Sequence, residues 1–380
     1  MPLTIGVPTE TAPGERRVAL VPEICAKLAA QDVQVLVESG AGEAAYFPDD
    51  AFQAAGAHVV SRAEVLRANV LATVNGPGED DLTHLRPESV VVGLMRPLDD
   101  AARMERIAST GATALAMDLV PRTTRAQSMD ALSAMATVAG YRAVLLAAEA
   151  LPRFFPLLTT AAGTMRPAKV LVLGAGVAGL QAIATARRLG AVVSAYDVRA
   201  AAAEEARSLG ATFITLDLDT AGAEGGGGYA AALDEERQRR QVELLGAHVA
   251  AQDVVICTAL VPGRRAPLLV SEEAVGGMAA GSVIVDLAAP NGGNCALTHP
   301  GVASHAGGVR IYGPLNLPAE MPVHASQMYA RTMAALVGYF AKDGAFAPAE
   351  DDEIFRGMCV TAGGRVVNER VRTLLASAPA

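Results

Sequence analysis

Eleven residues near the middle of the chain narrow its fold more than any other stretch. Lys169-Val-Leu-Val-Leu reads as a buried strand, and Gly174-Ala-Gly176-Val177-Ala178-Gly179 follows it without a break. Leu180–Leu189 then carries the spacing of a helix. Each glycine has its own duty in such a strand–turn–helix. Gly174 permits the tight turn, Gly176 lets the backbone approach a pyrophosphate, and Gly179 allows close helix–strand packing. Phosphates would rest on the N–H groups at the helix start, where the macrodipole favours anions. A glycine pattern alone is weak; its weight comes from the next strand, Val192–Tyr196, which ends in Asp197, eighteen residues beyond Gly179. A carboxylate at that tip accepts hydrogen bonds from adenosine ribose hydroxyls and repels a 2′-phosphate, which predicts NAD(H) over NADP(H). Arg199, two residues on, pulls the other way, since an arginine could accommodate that phosphate.

The rest of the chain supplies two sheets for such a motif. In the first 120 residues, strands read at Leu3–Val7, Val33–Val37, Val70–Val74, Val90–Leu94 and Thr113–Met117. Alanine-rich amphipathic pieces such as Pro22–Ala30 and Leu98–Ser109 lie between them, and strand and helix in alternation imply a parallel sheet covered on both faces. None of these strands is followed by a glycine fingerprint. After a long helix over Met129–Leu151, Arg153–Pro167 reads as a short helix and a loop. A second series follows at Lys169–Leu173, Val192–Tyr196, Thr212–Ile214, Val254–Cys257, Ser282–Asp286 and Val309–Tyr312. The tail reads as a helix, Ser326–Ala341, a polar linker, Asp343–Asp352, and a short C-terminal segment. The expectation is α/β, with two Rossmann-like doubly wound parallel-sheet domains separated by a cleft, the default ligand site. Residues 1–133 with 322–380 would form a first, discontinuous domain, and 134–321 the NAD(H)-binding one. Thr220–Tyr229 contains four consecutive glycines and reads as a loop, either a plain flexible one or a lid.

Composition removes several other functions. Thirty-one basic against 40 acidic residues leave a net charge of -9, without the clustered positive charge that nucleic acid requires. Aromatics are 4% and tryptophan is absent, so base-stacking platforms are not expected. The four cysteines are scattered and the histidines follow no ligand spacing, which points to reduced thiols and no metal. MPLTIGVPTE lacks the basic start and apolar core of a signal peptide. The apolar stretch Ala131–Leu151 includes Arg142 and Glu149, where a spanning helix wants about 20 nearly uncharged residues, so it reads as a soluble helix.

With strand, glycines, helix and Asp197 in place, the sequence closely resembles the NAD(H)-binding component of proton-translocating transhydrogenases, and more loosely alanine dehydrogenase. Glu10-Thr with Gly14-Glu-Arg-Arg-Val-Ala-Leu-Val-Pro22, and Gly174 to Arg199, resemble signatures of both families. Pro121-Arg-Thr-Thr-Arg-Ala-Gln-Ser-Met-Asp130-Ala-Leu-Ser133, continuing to Gly140-Tyr-Arg-Ala-Val144, favours the transhydrogenase. So do Ala259–Pro267, Gly281–Ala289 and Asn291–Cys295. The resemblance to alanine dehydrogenase implies a lysine and a histidine near two strand ends. Here those stretches read Thr73-Val-Asn-Gly-Pro77 and Val92-Gly-Leu-Met-Arg-Pro97, with neither residue. A proton-transfer reaction without its acid and base loses about 10²–10⁴-fold. Hydride transfer between two nicotinamide rings has no such need, because the cofactors supply the chemistry.

The resemblance also assigns residues. It implies that Arg122, Gln127, Asp130 and Ser133 contact the nicotinamide end of NAD(H) and organise hydride transfer. Arg122 is a five-donor fork suited to a phosphate or amide oxygen, and Gln127 both donates and accepts. Asp130 and Ser133 are spaced to share a helix face if the helix has begun. The competing reading is a capping cluster, with Thr124 or Ser128 as N-cap and Asp130 in the first turn. Around the cofactor, Gly174, Gly176, Val177, Ala178, Gly179, Asp197, Val198, Arg199, Ala259 and Leu260 are expected contacts, and Tyr229 is either a closing tyrosine or an ordinary loop aromatic. Asn291 and Asn294 could reach the nicotinamide carboxamide or serve as tight-turn residues. Three positions depart from the family pattern: Thr332, Asn316 and Pro290. The resemblance further implies NADP(H) on a partner subunit, a membrane-embedded partner that couples proton movement, other polypeptides for both, and a homodimer. It implies a cytoplasmic place, peripheral at the inner membrane through those partners. The alternatives are an alanine-type amino-acid dehydrogenase and a non-enzymatic NAD(H)-binding module.

Overall fold

The computed structural model describes residues 3–218, 234–261 and 263–377, and it divides into two compact units, Met1–Met135 with Pro318–Ala380, and Ala136–Leu317. In the first, strands β1 (Thr4–Val7), β2 (Gln34–Glu38), β3 (His58–Val60), β4 (Val70–Ala72), β5 (Val90–Gly93) and β6 (Thr113–Ala116) pair in the order β3-β2-β1-β4-β5-β6, all parallel. The crossovers include helices α1 (Pro22–Ala29), α2 (Asp49–Ala54), α3 (Arg62–Val65) and α4 (Ala101–Ser109). A core of Val65, Leu71, Val91, Met104, Ile107 and Ala114 packs on this sheet. The strand Cys359–Ala362 then extends it antiparallel beside β6, and Arg365–Val366 closes the edge. The short terminal segment expected from the sequence is therefore a sheet edge. It is flanked by helices Glu353–Met358 and Glu369–Ser377.

The unit Ala136–Leu317 repeats the same winding. Helix α5 (Ala131–Ala150) leads to an antiparallel hairpin of β7 (Leu158–Thr160) and β8 (Gly163–Met165), where a short helix was expected. Next come β9 (Lys169–Leu173), helix α6 (Val177–Arg188), β10 (Val192–Tyr196), helix α7 (Ala202–Ser208) and β11 (Thr212–Phe213). Helix α8 (Glu235–Ala250), β12 (Val254–Cys257), helix α9 (Glu272–Gly276), β13 (Val283–Asp286), β14 (Ala303–Ala306) and β15 (Val309–Tyr312) complete it. The order is β11-β10-β9-β12-β13-β15-β14, parallel except for β14 at the edge. With six parallel strands counted in chain order, both units follow the 3-2-1-4-5-6 order of the doubly wound fold.

Alternation along the central strands explains why both faces are covered. Val170, Val172, Val254, Ile256, Val283 and Val285 pack with Ala143, Val144 and Ala147 of α5 and Ala182, Ile183 and Ala186 of α6. Leu171, Leu173, Val255, Cys257 and Ile284 face Leu245 and Val249 of α8 and Val275 of α9. Near-continuous apolar runs are what a sheet buried on both sides demands. By length and composition alone α5 could cross a membrane. It carries Arg142 and Glu149, and Glu149 is its only exposed residue.

Candidate functional site

The site begins where β9 ends. Gly174 turns the chain at φ +96°, and a Cβ at Gly179 would stand 1.9 Å from the Gly174 carbonyl oxygen, so the helix can lie this close only with glycine there. Gly176 is different. A Cβ on it would meet nothing within 4 Å, so packing within the described residues does not require glycine there. Gly176 is also the N-cap of α6 and offers no side chain to the first-turn N–H groups, which leaves them for a ligand. Val177 is exposed and Ala178 half-buried at this helix start.

Asp197 lies at the tip of β10, as its spacing predicted. One carboxylate oxygen accepts the Ala175 N–H at 2.8 Å, which ties the strand tip to the glycine turn. The same carboxylate takes Arg199 through its backbone N–H (2.9 Å), Nε (2.9 Å) and a terminal guanidinium nitrogen (2.8 Å). The charge of Arg199 is thus answered within the chain, and Val198 lies half-buried between the two. On the other side of β9, Thr258 Oγ1 donates to the Gly174 carbonyl at 2.9 Å, and Ala259 and Leu260 follow it. Leu260 is 37% exposed, open to a ligand. Sequence reasoning missed Thr258, although its place directly after β12, across from the fingerprint strand, was the available signal. Gly140 was quoted only as part of a stretch. A Cβ there would come within 2.1 Å of the Ala178 carbonyl oxygen, so α5 passes directly over the start of α6.

In the other unit, residues Thr124–Met129 form a 3-10 turn that feeds α5. Arg122 stands just before the turn and Gln127 within it, both exposed. Asp130 is itself the helix cap. Its carboxylate accepts the Ser133 N–H at 2.8 Å and the Ser133 hydroxyl at 2.6 Å. Neither Thr124 nor Ser128 takes that place, and Asp130 precedes the first turn. Gln127, Asp130 and Ser133 are therefore gathered at one helix start, with Arg122 leading in. Tyr229 lies outside the described residues. Thr332 donates to the Tyr329 carbonyl of its own helix, a structural bond.

A second polar cluster sits after β1 and β4, at the reversal of strand order in this unit. Glu10 accepts N–H groups from Val74 and Asn75 and the Asn75 side chain, while Asn75 also donates to Glu15 at 2.9 Å. Glu15 clasps Arg17 through two bonds, at 2.8 and 2.6 Å. Burial, with Glu15 nearby, pushes Glu10 up to about 7 against the pull of its N–H donors. Burial acts on Glu15 as well, but the Arg17 bond and charge, with Asn75, outweigh it and hold Glu15 at about 2. The four cysteines are buried, and burial raises their thiols, Cys25 to about 12, which disfavours the thiolate.

Two family models match the chain, alanine dehydrogenase/PNT N-terminal domain over residues 6–139 and C-terminal domain over residues 143–369. The first segment of the NAD(P) transhydrogenase alpha subunit of Rhodospirillum rubrum is 43% identical over 376 residues, spanning 96% of this chain and 98% of that one. The chain belongs to the alanine dehydrogenase/PNT family, among the NAD(P) transhydrogenase alpha subunits. A solved transhydrogenase structure from Sinorhizobium meliloti superposes with a TM-score of 0.87 at 42% identity, covering 96% of this chain and all of that one (100%). The other branch is more distant. The alanine dehydrogenase of Mycobacterium tuberculosis is 31% identical over 98% of this chain and 96% of its own. An L-alanine dehydrogenase structure gives a TM-score of 0.83 at 25% identity, covering 98% and 99%. Asn75 and Arg96 stand after β4 and β5. Asn75 is shared by Glu10 and Glu15, and Arg96 Nε is bound to Asp99 at 3.0 Å.

Proposed function

We propose that this chain is the NAD(H)-binding subunit of a proton-translocating transhydrogenase, passing hydride directly between its own nicotinamide and that of NADP(H) on a partner subunit. One observation carries the reading: the likeness to transhydrogenase alpha subunits runs through 96% of the chain at 43% identity, and within it the uncapped helix start at Gly176, flanked by Asp197, supports the dinucleotide site. Arg122, Gln127, Asp130 and Ser133 are the residues we assign to the nicotinamide end. Asp130 and Ser133 brace each other, which fixes the helix start, and exposed Gln127 can bridge two nucleotides by donating to one and accepting from the other. Such a reaction asks the protein for alignment and a shaped electrostatic surface, while the nicotinamides carry the electrons. A membrane-embedded subunit would couple the transfer to proton movement and hold this chain at the inner membrane surface, on the cytoplasmic side. A homodimer fits the β7–β8 hairpin, which leaves Phe154, Leu157 and Met165 exposed; an isolated two-stranded hairpin is marginal in water.

The alanine-type alternative is disfavoured by the stretches after β4 and β5, Thr73–Pro77 and Val92–Pro97, which hold neither the lysine nor the histidine that the resemblance to alanine dehydrogenase implies.

Mixing the chain with an isolated NADP(H)-binding component and following hydride exchange between nucleotides tests the reading. Exchange is expected; sound NADH binding without exchange overturns it. NAD+ reduction with L-alanine by the chain alone would support the alternative. Gln127→Asn is expected to slow exchange by up to about 10²-fold while NADH affinity changes little, because a misplacement near 1 Å suffices for that loss. Equal losses in both would remove the alignment role.

A further inference from the structure

Two fully buried polar side chains hold the loops after β12 and β13. Asp286 ends β13, and its carboxylate accepts the N–H groups of Ala288 (3.0 Å), Asn294 (2.8 Å) and Cys295 (3.0 Å) and the Thr298 hydroxyl (2.7 Å). Asn294 is then held from behind and spends its whole side chain on the loop after β12. Its amide oxygen accepts the Ala259 N–H at 3.0 Å, and its amide nitrogen donates to the carbonyls of Ala259 (2.9 Å) and Pro267 (2.8 Å). Its own carbonyl accepts from Leu269 and Val270. The sequence allowed Asn294 to reach a carboxamide or to sit in a tight turn; its side chain fastens one loop to another.

The loop it fastens matters because of where it lies. Thr258 Oγ1 bonds the Gly174 carbonyl, so Ala259 and Leu260 begin beside the pyrophosphate turn. Strand order fixes the rest. The adenosine end belongs over β10 with Asp197, so a dinucleotide whose phosphates sit at α6 must send its other half over β12 and β13. We propose that Asn294, anchored by Asp286, is a positioning residue for the nicotinamide half of the dinucleotide, holding Ala259 and Leu260 where that half must lie. The inference rests on the NAD(H) reading above. Removing the amide leaves the Ala259 N–H and two carbonyls without their partner, and the loop must move to find others.

The test titrates Asn294→Ala calorimetrically with NADH and, separately, with AMP, which occupies only the adenosine side. NADH affinity is expected to fall roughly tenfold while AMP affinity stays within about twofold, the loss of a buried hydrogen-bonded link confined to one half of the ligand. Parallel losses for both ligands would reveal a general structural role and overturn the proposal, as would unchanged NADH binding. Should Asn294→Ala not fold, Thr298→Val removes one of the four donors to Asp286 at a half-buried position and must weaken NADH selectively, by a smaller factor. Wild-type protein that bound AMP but not NADH would sink the NAD(H) reading itself. Wild type that bound both, with variants that lost neither or both, would sink only the role of Asn294.

Discussion

Asp197 and Arg199 show how one side chain decides what its neighbour can do. An arginine two residues beyond the strand tip could receive a 2′-phosphate, yet here its guanidinium makes two bonds to the Asp197 carboxylate. Asp197→Asn is expected to weaken NADH about tenfold and to raise NADPH affinity, since a hydrogen bond to a charged group is worth about 1.5–3 kcal/mol. Titration with both nucleotides checks this; loss of NADH without any gain of NADPH would show that Arg199 does not set the preference. Glu10 and Glu15 make opposite contributions to stability. Glu10 is raised from 4.5 to about 7, so its stabilisation is full below the unfolded value and lost as pH rises through 7. Asp118, raised mainly by burial to about 6, adds to that decline. Glu15, lowered to about 2, stabilises above 4.5 and loses that contribution as pH falls towards 2. Glu10→Gln should therefore flatten the fall of the Tm between about pH 5 and pH 8, a limb worth up to about 3 kcal/mol from a shift of this size. An unchanged limb would place the titration elsewhere.

At the scale of elements, the glycine turn separates packing from binding. Gly140 admits the carbonyl of Ala178, so Gly140→Ala forces α5 off the start of α6, and overpacking of this kind costs about 1–3 kcal/mol. Gly176→Ala has open space for its methyl group and should leave the Tm nearly unchanged while weakening NADH, whose pyrophosphate needs that space. Thermal melts paired with NADH titrations distinguish the two; a Gly176→Ala variant that bound NADH normally would remove the phosphate site from this turn. Sequence reasoning missed the parallel edge strand β3, three residues long, and several antiparallel strands; Ala303–Ala306 and Cys359–Ala362 are four residues each, antiparallel and at or near sheet edges, too short to show a period. Their turns were the better signal. Gly307–Gly308, Asp343–Gly344 and Gly363–Gly364 each have both φ angles positive, the two-residue hairpin geometry, and so the linker expected from Asp343 begins inside a tight hairpin of Ala341–Lys342 with Ala345–Phe346.

Taken whole, the molecule holds two units with the same strand order, and among the described residues the turn Gly174–Gly179 belongs to Ala136–Leu317. In the other, the crevice at the reversal of strand order is filled by Glu10, Asn75, Glu15 and Arg17, each answering another. One NADH per chain is the expected stoichiometry, and two equivalent sites in a calorimetric titration would contradict it. Most of the parallel strands, β3 excepted, and the strand–turn–helix that leads to Asp197 were legible without coordinates, because buried strands and glycine turns demand residue types at fixed local spacing. What the fold alone decided depends on the path of the backbone, whether the partners are near or far apart in the chain. Asp130 as a cap depends on where a helix begins, Gly140 on a helix crossing, Asn294 on a loop some 35 residues away in sequence, and Arg199 on the orientation of a carboxylate. Local pattern reports what a segment can become; which groups satisfy one another is settled only when hydrogen bonds and close contacts compete in three dimensions.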